Sequence, residues 1–237
     1  MGAQVAAVKM LSHPSVLLFL TVGVYWLANI LRARTGRLVF NPVLISTVCV
    51  IAYLKAFGID YESYHQAGRF IDFWLKPAVV VLAVPLYLNR QKIRDQWLPV
   101  VAAQLAGSFT GIVTGVYLAK WMGAGRETVL SVASKSVTNP VAIEITQAIG
   151  GIPAVTAATV IVAGLTGQML GVWFLKTGRV AMPSSLGLSL GTASHAMGIT
   201  ASLERSKRIA AYAGLGLILN SIFTAVLAPL VVPLMVG

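Results

Sequence analysis

The sequence predicts an all-α integral membrane protein, a polytopic helical bundle of seven or eight elements. Hydrophobic residues make up 57% of the 237 residues and charged residues 11%, whereas soluble domains average about 25% charged. The mean hydropathy is +0.81. Several apolar windows approach the roughly 20 residues that a spanning helix needs, and no ten-residue blocks alternate as in a membrane barrel. Because only helices or closed barrels cross a bilayer, we expect helices throughout one domain, residues 1–237.

The apolar segments follow one another with short hydrophilic gaps. The predicted elements are 16–31, 41–58, 70–88, 97–121, 127–150, 152–175, 184–202 and 208–235. Polar residues and glycines interrupt the segments 127–150 and 184–202, so these two broken helices are predicted either to span the membrane or to re-enter it.

The charge is concentrated in the gaps. The chain carries 18 Lys and Arg against 7 Asp and Glu, a net charge of +11. The basic residues cluster at 32–37, 89–95, 176–179 and 204–208, which is typical of the positive-inside rule for loops between spans. They form no stripe with interleaved aromatic residues, so the charge predicts contact with a lipid bilayer and no binding of nucleic acid.

Small residues line one face of the segment 97–121. Gly107, Gly111 and Gly115 recur every four residues, flanked at the same spacing by Ala103 and Ala119. A second such row is Ala163, Gly167 and Gly171. This pattern lets two helices approach closely in lipid. It predicts helix packing, either inside one protomer or at the interface of a homodimer.

Two similar triplets suggest an internal duplication. Asn41-Pro42-Val43 and Asn139-Pro140-Val141 lie 98 residues apart, and each opens an apolar segment. The halves would be about 14–121 and 122–237. On the positive-inside assignment the two triplets enter from opposite sides, which predicts an inverted repeat. Paired broken segments of this kind, one interrupted by Pro77 and Pro85 and the other by glycines, point to a transporter's midplane site.

The polar stretch 134–144 predicts an anion site. Asn is a favourable helix N-cap and Pro suits the first helical position, so Asn41 and Asn139 would each start a helix. Helix N-termini attract anions, and two that cross at the midplane would cradle a carboxylate. Lys135, Ser136 and Thr138 would add donors. The alternative is that Lys135 lies at a membrane surface and the hydroxyls only cap a helix.

Three further polar side chains lie within apolar segments. Glu144 falls about one turn after the second triplet, where it is a candidate to pair with Lys135, to carry a coupling proton, or to form a structural ion pair. His195, in GTASHAMG, suits proton coupling or carboxylate binding, or is a core histidine. Asn220 is predicted to join helices rather than to bind a ligand.

Enzymatic signatures are missing from the sequence. It contains no Walker loop, no dinucleotide-binding glycine motif after a strand, and neither an HExxH nor a GxSxG motif. A single cysteine, Cys49, is not a metal site. We therefore expect no enzyme, no metal and no cofactor.

Two motifs carry a family likeness. KSVTNPVAIEITQAIGGIPAVTA (135–157) and LGTASHAMGITAS (190–202), together with PAVVVLAVPLY (77–87), resemble the LrgB/CidB family, and the likeness covers nearly the whole chain. The resemblance implies a multi-pass protein of the bacterial inner (plasma) membrane. Family members are described as antiholin-like proteins that regulate murein hydrolase activity and autolysis with a holin-like LrgA or CidA partner. A plastid relative translocates glycolate and glycerate, which implies a small carboxylate as substrate.

The residues and the resemblance together predict a secondary transporter or facilitator of small organic anions. The substrate would be a monocarboxylate of the size of glycolate, glycerate or pyruvate, and the protein a homodimer with proton coupling through Glu144 or His195. The rival hypothesis is a regulator that controls a pore-forming partner through the small-residue face of 97–121. An ion channel, a third hypothesis, would pass current without saturation.

Overall fold

A computed structural model describes residues 10–36, 40–81, 84, 87, 91, 94 and 96–236 of the chain. Over this part the protein is helical without any strand, which confirms the predicted all-α class. The helices are α1 Pro14–Thr35, α2 Pro42–Phe57, α3 Tyr61–Val81, α4 Trp97–Trp121, α5 Arg126–Val132, α6 Asn139–Ile149, α7 Pro153–Thr177, α8 Pro183–Leu203 and α9 Lys207–Val236.

The helices belong to two compact units, Met1–Ala78 and Val79–Gly237. This division differs from the predicted repeat boundary near residue 121. Compactness does not test a duplication, because repeat halves can intertwine, so the inverted repeat stays a prediction. The segment 70–88 was predicted to be broken at Pro77 and Pro85, but α3 starts earlier, at Tyr61, and continues through Pro77 to Val81, so the break at Pro77 is wrong. Pro85 lies outside the described residues.

Local capping explains where the helices of the first unit begin and end. The Asn41 side-chain oxygen accepts the backbone N–H groups of Val43 at 2.9 Å and Leu44 at 3.4 Å, and Pro42 occupies the first helical position. The predicted N-cap at Asn41 is confirmed. Helix α1 ends where Gly36 adopts a left-handed φ of 63°, a conformation that costs glycine little.

Within the described part of the chain, four helices are long and apolar enough to cross a membrane by length and composition: α1, α4, α7 and α9. Helix α4 carries Trp97 and Trp121 at its two ends, 57% and 84% exposed. Twenty-four helical rises separate them by about 36 Å, and tryptophans at such a spacing are typical of the two membrane–water interfaces.

The second unit is held together by unusually close packing of α8 on α9. A Cβ atom added to Gly191 would lie 1.9 Å from the Ala213 carbonyl oxygen, and one added to Gly187 would lie 2.3 Å from the Ile209 oxygen. These contacts join backbone to backbone, so only glycine fits. The same unit buries an apolar cluster in which Ile112, Val116 and Val160 belong to α4 and α7.

Candidate functional site

The segment 126–150 folds back on itself. Helix α5 is short, residues 133–138 are not helical, and α6 returns alongside α5. The Ile152 N–H donates to the Ser131 hydroxyl at 2.7 Å, and the Ser134 hydroxyl donates to the Ala142 carbonyl at 3.2 Å. We call α5, residues 133–138 and α6 the first hairpin. Its tip, 135–138, carries the polar residues that the sequence singled out.

Hydrogen bonds between buried hydroxyl groups hold the two arms of this hairpin together. Thr146 bonds to the hydroxyls of Ser134 at 3.0 Å and Thr156 at 2.8 Å, and the Thr156 hydroxyl also lies 3.0 Å from the Ser131 carbonyl. All four of these residues have no exposed surface. Part of the polarity of this stretch therefore stabilises the turn, because buried polar groups need partners.

Helix α8 is interrupted at His195, which has a φ of 43° and a ψ of −132°. A Cβ atom on Gly198 would lie 2.1 Å from the Leu190 carbonyl oxygen. In a straight helix these residues would be about 12 Å apart along the axis. The chain therefore turns back at His195, and we call residues 183–203 the second hairpin. The predicted interruptions of 127–150 and 184–202 are both present in the structure.

The two hairpins meet at Asn220 of α9. Its side-chain nitrogen donates to the Ser136 carbonyl at 2.9 Å and to the Thr192 carbonyl at 3.1 Å. These two oxygens therefore lie within about 6 Å of each other. The predicted role of Asn220 in joining helices is what the structure shows.

The small-residue face of α4 packs against both hairpins within one chain. Cβ atoms added to Gly107, Gly111 and Gly115 would lie 3.2 Å from the Thr192 methyl, 3.5 Å from the Ser136 hydroxyl and 3.2 Å from Lys135 Cε. Packing inside the protomer, one of the two explanations that the sequence left open for these glycines, is present in the structure, and the homodimer interface stays a prediction.

A cavity of about 990 Å³ opens between α4, the tip of the first hairpin and the first half of α8. Its polar lining includes Lys135 and Ser136 from the first hairpin and Thr192 from the second. Helix α4 contributes Gln104, whose side-chain oxygen accepts the Thr192 hydroxyl at 2.6 Å. The cavity thus joins polar groups from three elements of the second unit.

Lys135 is the cation of this cavity. Its ammonium donates to the Gly111 carbonyl at 3.1 Å and to the Ser136 hydroxyl at 3.5 Å. Among the described residues no carboxylate pairs with it. Glu144 is exposed and is not one of its partners, so the predicted Glu144–Lys135 pair is not formed. An uncompensated cation beside a cavity attracts anions.

The start of α6 differs from the prediction. Thr138, not Asn139, is the N-cap residue: it has extended backbone angles, and its carbonyl accepts the Ala142 N–H at 2.8 Å. Asn139 is therefore already helical, one residue ahead of Pro140. Its side-chain oxygen is buried without a described hydrogen-bond partner. The asparagine-capped start holds for the first triplet and fails for the second.

The remaining predicted site residues are distributed over both units. Asn41 belongs to the first unit, so the predicted crossing of two helix N-termini stays a prediction. Thr138, Asn139 and Glu144 do not line the cavity. His195 does not line it either; it is 5% exposed, and its Nε2 donates to the Val160 carbonyl at 3.0 Å. Roles for these four residues in binding or proton coupling stay predictions.

The backbone at His195 gives a testable prediction. A positive φ strains any side chain and suits glycine. Both His195→Gly and His195→Ala remove the bond to Val160, but only the glycine relieves the strain. We expect the glycine variant to be more stable than the alanine variant by about 1 kcal/mol or more, measured as a higher thermal unfolding midpoint in detergent. An alanine variant of equal or greater stability would contradict this strain.

Sequence reasoning missed Gln104, Ser108 and Thr192. All three side chains are buried, 2%, 2% and 8% exposed. A signal was present for the first two, since Gln104 and Ser108 are polar residues four positions apart in an apolar span and so share one helix face. For Thr192 no local signal distinguishes it from the other hydroxyls of the glycine-rich segment.

The fold and the site define a multi-pass membrane protein with two broken helices around a cationic cavity. A model of the LrgB-like family matches residues 21–234. An uncharacterized protein of Haemophilus influenzae is 35% identical over 213 residues, 90% of this chain and 92% of the relative. YxaC of Bacillus subtilis is 35% identical over 217 residues, 92% and 94% of the two chains.

A third relative carries a functional name. Antiholin-like protein LrgB of Bacillus mycoides is 34% identical over 198 residues, 84% of this chain and 86% of its own. No solved structure matches the chain. The chain belongs to the LrgB-like family, as its motifs predicted.

Proposed function

We propose that this protein is a secondary transporter or facilitator of small organic anions. The observation that carries the proposal is the Lys135 ammonium at the cavity wall, bonded to a carbonyl and a hydroxyl and without an acidic partner in the described part of the chain. Ionisable groups inside membrane proteins are costly and mark substrate or ion pathways. A bound carboxylate would neutralise this charge.

The position of Lys135 supports transport. It lies at the tip of a hairpin, beside a second hairpin that also breaks within an apolar segment. Broken helices of this kind build transporter sites, because they expose backbone and side-chain polar groups to a cavity inside the protein. The cavity volume of about 990 Å³ accommodates a monocarboxylate of the size of glycolate, glycerate or pyruvate together with water.

A second candidate function is favoured by the names of relatives. Several Bacillus relatives are called antiholin-like, which supports a regulator that acts on a holin-like membrane partner and on murein hydrolase activity. The small-residue face that this hypothesis used contacts both hairpins within the chain, and Gly107 and Gly111 also line the cavity.

We propose that the protein lies in the bacterial inner membrane and assembles as a homodimer, whichever of the two functions it has.

Uptake by the purified chain tests the proposal. Proteoliposomes that contain only this protein are given labelled glycolate, glycerate or pyruvate, with and without a pH gradient. We expect saturable uptake of at least one of them, and dependence on the gradient would show proton coupling. Folded, inserted protein that takes up none of them would contradict transport and favour the regulator, and current without saturation would indicate a channel.

A further inference from the structure

We propose that Asn220 is the positioning residue that holds the two hairpin tips in one fixed arrangement and so places Lys135 at the cavity. Asn220 has no exposed surface, so it acts through its neighbours rather than by contact with a substrate. The geometric part of this proposal stands on the structure alone. Its consequence for substrate affinity rests on the proposed transport function.

Each hairpin leaves a backbone carbonyl that regular structure does not satisfy. The Thr192 carbonyl lies just before the interruption at His195, so its regular partner, the N–H of Ala196, lies beyond the break. The Ser136 carbonyl lies in the non-helical segment 133–138. An unpaired carbonyl in an apolar interior is costly. One side chain, Asn220, pairs with both.

The chemistry of the amide fixes its orientation. Carbonyls only accept, so the Asn220 nitrogen must face Ser136 and Thr192, and its two hydrogens serve one carbonyl each. The amide oxygen accepts the Ser108 hydroxyl at 2.7 Å and the Thr224 hydroxyl at 3.3 Å. All its hydrogen-bonding positions are used, and they tie both hairpins to α4 and α9.

Two residues that bond to Asn220, Ser136 and Thr192, also line the cavity. Ser136 is next to Lys135 in sequence, and its hydroxyl lies beside Gly111, whose carbonyl accepts a hydrogen bond from the Lys135 ammonium. Thr192 bonds to Gln104, which also lines the cavity. A change at Asn220 therefore displaces polar groups of both hairpins at the cavity although it touches neither the ammonium nor the cavity.

Asn220→Asp tests the role with little change in shape. The acid keeps an acceptor for Ser108 and Thr224, and because it is protonated in this buried setting it can donate to at most one of the two carbonyls. The matched control is Ser221→Ala on the same helix, since the Ser221 hydroxyl bonds only to Leu217 of its own helix, at 2.8 Å. Spin labels at Ala148→Cys and Thr200→Cys, in a Cys49→Ser background of the full chain, report the distance between the hairpins.

We expect Asn220→Asp at least to double the width of the distance distribution and to raise the KM for carboxylate uptake at least tenfold. Ser221→Ala should change neither. An unchanged width in folded Asn220→Asp would overturn the proposal, whatever the uptake. If no variant and no parent chain transports, the proposed function fails while the distances still decide the role of Asn220.

A second variant, Asn220→Ser, keeps the proposal testable if Asn220→Asp does not fold. Asn220→Ser also keeps one donor, on a shorter side chain, and should broaden the distribution relative to the parent protein. If both variants fail to fold while Ser221→Ala folds, Asn220 is a residue of the folding core and the positioning role is overturned.

Discussion

Lys135→Ala is expected to abolish carboxylate uptake while the protein still folds and inserts. The ammonium is the one described cation on the cavity wall, and a hydrogen bond to a charged group contributes about 1.5–3 kcal/mol. Its loss corresponds to a reduction in uptake of ten- to more than a hundredfold. Lys135→Met, which keeps the apolar stem against Gly115 and removes only the charge, should show the same loss.

The control for this prediction is another lysine of the same unit. Lys120 lies at the exposed end of α4 and donates to the Met235 carbonyl at 2.8 Å, away from the cavity. Lys120→Ala should transport like the parent protein. Normal uptake by Lys135→Ala or Lys135→Met, measured in proteoliposomes at equal protein content, would remove Lys135 from the binding site.

Gly191→Ala is expected to be the most destabilising small substitution in the second hairpin. The added methyl group would lie 1.9 Å from the Ala213 carbonyl oxygen and 2.9 Å from its Cα. Neither atom can move unless α8 separates from α9. Overpacking of this kind costs roughly 1–3 kcal/mol or more, so the thermal unfolding midpoint in detergent should fall by several degrees.

Gly23→Ala provides the matched comparison. Gly23 lies in the middle of α1, and a Cβ atom there would meet nothing within 4 Å. Because alanine also favours the helix over glycine, this variant should be as stable as the parent protein or more stable. Equal midpoints for Gly191→Ala and the parent would contradict the close α8–α9 contact.

The structure also changes how the two candidate functions are best separated. The small-residue face was expected to matter most for a regulator and the polar residues most for a transporter. Gly111 belongs to that face and also to the candidate site, since its carbonyl accepts a hydrogen bond from the Lys135 ammonium. A bulky residue at Gly111 would therefore disturb both, and its effect would not distinguish the two functions. Lys135→Met removes the charge and keeps the packing, so it distinguishes the two.

The sequence by itself determined the helical membrane class, the positions of most apolar helices and the interruptions of 127–150 and 184–202. The membrane spans depend on composition over about 20 residues, and a helix start such as that at Asn41 depends on capping chemistry within one turn. The sequence also identified Lys135 as a cation of interest, because a lysine amid apolar segments is rare.

Only the tertiary structure decided what these residues contact. Asn220 bonds to residues 84 and 112 positions away, Ser136 and Ser108, and no local pattern encodes such pairs. Glu144 was expected beside Lys135, yet the ammonium binds Gly111, 24 positions away on another helix. The turn at His195 places Thr192 and Ser136 together. Which carbonyls are left unpaired, and which side chain satisfies them, follows from how the hairpins pack.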